Sequence, residues 1–110
     1  MPEMRFHVLW PDGSKGVCYS PSLVVEDYLR PGSAYPLAEF VERSRKALHV
    51  ASARVEEKYG FPCARALRQI GEIERRAALF AGTDAEVIVL AFDRDCAVMQ
   101  PFPLSKELPG

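Results

Sequence analysis

The stretch MRFHVLWPDGSKGVCYS, residues 4–20, decides how the rest of the chain is read. Its even positions Met4, Phe6, Val8 and Trp10 are apolar while Arg5 and His7 fall between them, the period of two that marks a half-buried strand. Asp12-Gly13 then supplies a two-residue hairpin signal, because glycine takes positive φ without steric cost. Lys15–Ser20 is therefore the returning strand. With Asp12 and Gly13 as the loop, Pro11 faces Ser14, Val8 pairs with Val17, Phe6 with Tyr19 and His7 with Cys18. That register gathers apolar side chains from both strands on the core face and sets His7 beside Cys18 on the outer one. Trp10 falls on the core face by the same parity.

Beyond the hairpin, the proline-bounded stretch from Pro21 to about Leu29 reads as a short helical turn capped by Ser20, ended by Arg30-Pro31-Gly32-Ser33. Pro36 suits the first position of a helix. From there to Tyr59, Leu37, Phe40, Val41, Ala47, Leu48, Ala51 and Val55 recur at spacings of three and four, a single apolar stripe. Gly60 terminates that helix. Pro62 opens a second one carrying Ala66, Leu67, Ile70, Ile73, Ala77 and Phe80 on one face and ending near Ala81-Gly82. A joint as short as Gly60-Phe61-Pro62 makes the two helices antiparallel neighbours. Residues 85–92, AEVIVLAF, read as a third strand, antiparallel to the second, with both parities apolar. Its second face, Ile88, Leu90 and Phe92, is a candidate interface.

The fold expected is thus α+β: a small three-stranded sheet, the N-terminal hairpin plus the C-terminal strand, with an antiparallel helical hairpin packed on one face. A chain of 110 residues fits one domain, here residues 1–93, with 94–110 as a proline-containing extension. Hydrophobic residues at 48% and charged residues at 26% place it with ordinary globular proteins rather than disordered or membrane ones. Fourteen Lys plus Arg against fifteen Asp plus Glu, without a single-sign block, leave no broad positive field for nucleic acid. No apolar run is long enough to span a membrane and the opening residues do not form a secretory signal, so neither membrane insertion nor export is expected. Three widely spaced cysteines do not make a disulfide framework, and the expected setting is a cytoplasm with reduced thiols.

Cys63 is the first candidate for chemistry, because a sulfur at a helix start lies near unpaired N–H groups that favour thiolate. It lacks a base: on an antiparallel hairpin His49 lies roughly 15 Å or more along the axis. Packing is its favoured role. The second candidate is Cys18 with His7, brought close only by the assumed register. Cys18, Cys63, Cys96, His7 and His49 contain no paired metal-ligand spacing, so no metal is expected. No phosphate loop, nucleophile elbow or catalytic carboxylate pair is present, and no cofactor is expected. The arginines and lysines of the helices alternate with carboxylates four residues away, Glu39 with Arg43, Glu42 with Lys46, Arg68 with Glu72 and Glu72 with Arg76, which reads as a solvated outer face.

Taken together, RFHVLWPDGS (5–14), VCYSPSLVVEDYL (17–29), YPLAEFVERSRKALHVASARV (35–55) and KYGFPCARALRQIGEIE (58–74) resemble a small bacterial family of nitrogen starvation response proteins. The resemblance covers roughly residues 1 to 93. It implies genes clustered with a nitrilase, a radical SAM protein, an N-acetyltransferase-like protein, a synthase-like protein related to purine biosynthesis and a flavoprotein oxidoreductase, in the use of nitriles or cyanide as nitrogen source. No catalytic residue comes with it. The expected function is a non-enzymatic accessory or regulatory protein that binds a protein from the same cluster, or a second copy of itself. The rival is a thiol-dependent enzyme or a redox or cyanide sensor using Cys63, or Cys18 with His7.

Overall fold

A computed structural model of the chain describes residues 3–95. The protein is α+β, with four antiparallel strands in the order β2-β1-β4-β3: β1 (Glu3–Leu9), β2 (Lys15–Ser20), β3 (Ala34–Pro36) and β4 (Glu86–Asp95). Two helices, α1 (Leu37–Tyr59) and α2 (Ala64–Ala78), pack on one face of the sheet. Met4, Phe6, Val8 and Cys18 from the hairpin and Val87 and Val89 from β4 meet Phe40, Leu48, Ile70 and Ile73 from the helices in one buried core.

The sheet corrects the three-stranded expectation. β3 spans only three residues and pairs with the start of β4, Tyr35 opposite Val87. It is too short for an alternation pattern, yet it has a local cause: Tyr35 precedes Pro36, and a residue before proline is driven to the extended region. A proline is tolerated there because β3 is an edge. The chain therefore crosses from β2 to the far edge before the helices begin, by way of a 3-10 turn Leu23–Asp27 capped by Ser22 rather than Ser20. β4 consequently returns between β1 and β3, and it runs in the same direction as β2, not antiparallel to it.

The hairpin register is also shifted by one residue. The pairs are Phe6 with Cys18, His7 with Val17 and Val8 with Gly16. Trp10 N–H donates to Ser14 C=O at 2.8 Å and Gly13 N–H to Trp10 C=O at 2.9 Å, which closes a three-residue loop with Gly13 at φ 87°. A two-residue loop would make Pro11 and Ser14 the closing hydrogen-bonded pair, and proline has no N–H to give. Pro11 instead fits the first central position of a type I turn. Because side chains alternate, the shift turns Cys18 and Ser20 into the core and Val17 and Tyr19 out of it.

Both helix starts move too. Pro36 lies just outside α1, whose Leu37 N–H donates to Ala85 C=O at 3.2 Å instead of to a side-chain cap. Cys63, with φ −81° and ψ 105°, is still extended, so α2 begins at Ala64 and the joint is four residues long. α1 ends as expected at Gly60, in the left-handed region with φ 89°. β4 runs on to Asp95, and the rest of the stretch read as an extension, including Cys96, lies outside the described residues.

Candidate functional site

β4 carries one residue more than β1 can pair. His7 faces Ala91 and Val8 faces Val89, so Leu90 is a bulge. Up to Val89 the odd positions point inward; beyond the bulge Phe6 faces Phe92 and the even position points inward. This phase change explains why both parities of 85–92 are apolar. Of the residues read as one face, Phe92 turns to pack against the core, while Ile88 and Leu90 stay on the outer side. There they join Leu9 and Val17 in an apolar surface that the helices do not cover, with Val17 57% and Leu90 39% exposed. His7 lies on the same side, its Nε2 3.9 Å from an Asp93 carboxylate oxygen.

His7 and Cys18 are not brought together. Cys18 lies opposite Phe6 on the core face, and burial, helped by the Glu72 carboxylate, pushes its thiol up to about 12. Cys63 is half-buried at the helical joint, where its backbone N–H donates to Ser52 Oγ at 3.0 Å. Ser52 and Ser44 complete the inward stripe of α1 between the apolar positions. His49 is exposed. Among the described residues, no three of His, Cys, Asp and Glu cluster closely enough to hold a metal ion.

Beside the β2 edge, α2 walls a polar cleft of about 230 Å³ lined by Arg5, Tyr19, Arg65, Arg68, Gln69 and Glu72. Tyr19 N–H, which faces outward from the edge strand, donates to Gln69 Oε1 at 3.0 Å, so α2 also blocks the open edge of the sheet. The Arg65 guanidinium stacks 3.9 Å from the Tyr19 ring centroid, and Tyr19 O–H donates to Glu3 Oε2 at 3.3 Å. Burial, with Glu3 and Cys63 adding to it, pushes the Tyr19 phenol up to about 12. Two of the four expected helix ion pairs form, Glu39 with Arg43 and Glu42 with Lys46. Neither pair through Glu72 forms: Arg76 reaches instead to the hairpin turn, to Ser14 Oγ and to Asp12 at 3.7 Å. Ser14 N–H and Oγ–H both donate to Asp12, which holds its carboxyl below the ordinary range, with Arg76 helping. A wider groove of about 740 Å³ between the start of α1 and the end of α2 is lined largely by small side chains such as Ala38, Ala77 and Ala81, with charge in Glu42, Arg45, Asp84 and Glu86.

The grouping of Arg5, Arg65 and Arg68 was not visible in the sequence, where Arg5 falls between the apolar positions of a strand and Arg65 and Arg68 lie among the charges of a helix. Arg65 and Arg68, three apart, do share a helix face; only the shifted register and the docking of α2 bring Arg5 to them.

Residues 5–92 match the family model described as nitrogen starvation-induced protein NitG. The chain belongs to the NitG family. The NitG match runs from Arg5 in β1 through the bulge of β4 to Phe92, so the outer face and the arginine-lined cleft both lie within the family region. No curated protein and no solved structure matches this NitG-family chain. No helix among its described residues is long and apolar enough to cross a membrane.

Proposed function

We propose that this NitG-family protein is a non-enzymatic accessory protein of the nitrogen starvation response, linked to a nitrilase-type gene cluster, and that it acts by binding a protein partner encoded there through the outer face of its sheet. The observation that carries this reading is the Leu90 bulge. Without Leu90, β4 would alternate regularly, with Val87, Val89 and Phe92 inward and Ile88 and Ala91 outward, which is the arrangement its pairing with β1 already has. The extra residue serves no core contact that this alternation needs; its effect is to place a large apolar side chain on the uncovered face, on which Leu9, Val17 and Ile88 also lie. Bulges recur where a side chain is re-aimed for function, and an apolar patch with a charged surround suits a protein interface.

Deletion of Leu90 and Leu90→Glu test the reading together. Both variants are expected to keep a cooperative unfolding transition near that of the parent and to lose co-elution with the proteins of the cluster, the nitrilase first. Sedimentation of the protein alone distinguishes a second copy as the occupant. A folded variant that still binds its partner sinks the proposal. So does a Leu90→Glu chain that fails to fold, since that face is then core.

A further inference from the structure

The outer face of the sheet divides its charges between two flanks. On one side of β1, β2 contributes a single charged residue to this face, Lys15; on the other, β4 contributes the carboxylates of Glu86 and Asp93. Lys15 and Glu86 are exposed, and neither enters an ion pair or a side-chain hydrogen bond among the described residues. The apolar side chains are divided in the same way about β1. Leu9 lies on it, Val17 on the β2 side, and Ile88 and Leu90 on the β4 side.

A closed dimer is built on a two-fold axis, so the patch it uses must complement itself. An axis laid along β1 meets that condition, because it places β2 of one copy over β4 of the other. Leu9 pairs with Lys15 on one side and with Ile88 on the other, so Lys15 comes over Ile88 of the second copy. Glu86 of that copy lies two residues further along its strand, about 7 Å away, and faces the same side. His7 is flanked likewise by Val17 and by Ala91 next to the Leu90 bulge, so Val17 comes over the bulge, apolar on apolar. Arg5 and His7 approach their own copies near the axis, but each has Asp93 beside it in its own sheet. Stacked sheets cross at about 30°, so the strands diverge away from the overlap, which centres on His7 and Leu9. We infer that the outer face binds a second copy of this chain, face to face, with Lys15 of each copy set against Glu86 of the other. The inference rests on the reading of this face as an interface and names its occupant while the cluster partner is absent. The partner and the second copy then exclude each other, and partner binding requires the dimer to open.

Sedimentation equilibrium of the full chain over a concentration series tests this, with Lys15→Glu, Glu86→Lys and an equal mixture of the two. Both positions are exposed, so the single variants are expected to fold as the parent does. The parent is expected to dimerise. Each single variant is expected to weaken the dimer about tenfold, because the two-fold axis repeats the reversed charge at both contacts. The mixture is expected to recover it as a heterodimer, since the carboxylates of one variant then meet the lysines of the other. A parent that stays monomeric to its highest soluble concentration overturns the inference, even where the cluster proteins still co-elute through this face. So do single variants that dimerise as tightly as the parent, or a mixture no tighter than its components. A dimer with the expected charge dependence upholds the inference even where no cluster protein binds, and in that case only the choice of partner in the proposed function fails.

Discussion

Trp10 is confined on several sides. Its ring meets Phe40 edge-on at 5.6 Å and stacks with Phe80 at 6.2 Å, with the Arg76 guanidinium 5.8 Å from its centroid. Gly16 faces it from β2, and a Cβ there would fall 2.8 Å from the indole Nε1. A tryptophan free to turn would absorb this; one wedged between two phenyl rings cannot. Gly16→Ala is therefore expected to cost about 1–3 kcal/mol, the usual penalty of overpacking, read from urea unfolding. A loss of only a few tenths, as at a surface site, would mean that the ring has room to move. The parity of residues 4–10 already put Trp10 in the core, but the need for glycine beside its indole was hidden, because it depends on the register across the turn.

Elements are joined here by polar contacts that leave little trace in a hydrophobic pattern. Ser52 sits on the buried face of α1, and its hydroxyl accepts the Cys63 N–H at the start of α2, fixing where the second helix can begin. Ser52→Ala leaves that N–H without its acceptor and is expected to cost about 1–3 kcal/mol. Faster hydrogen exchange at the Cys63 amide would accompany it; unchanged exchange would show that another group takes the bond. The helical stripe was legible because apolar side chains repeat at three and four, whereas Ser44 and Ser52 interrupt the same stripe and read as polar gaps. β3 and the β4 bulge escaped for a related reason: three residues are too few for a period, and a bulge makes two phases look like one run.

At the scale of the whole molecule, stability carries a pH dependence set by side chains that the register turned inward or against α2. Cys18 keeps its proton up to about 12 in the folded protein, whereas an unfolded thiol loses it near about 8.5. The folded state binds the extra proton between those values, so the stability it contributes is whole below about 8.5 and is lost as pH rises toward 12. Tyr19, also raised to about 12, adds to the upper part of that window. The melting temperature is expected to fall across it, with Cys18 supplying at most about 1.4 kcal/mol per pH unit. Cys18→Ala is expected to be less stable at neutral pH but flatter above pH about 8.5. Parallel curves for the two proteins would contradict burial of the thiol. The sequence by itself determined the α+β class, the two antiparallel helices, the core role of Trp10 and the family, because period, terminators and motif strings are properties of neighbouring residues. Only the tertiary structure decided the fourth strand, the place of β4 beside β1, which side of the sheet Cys18 and Leu90 occupy, and the meeting of Arg5 with Arg65 and Arg68. Each of those depends on pairing between distant segments, where a one-residue change at a proline-bearing turn moves every side chain of a strand to the opposite face.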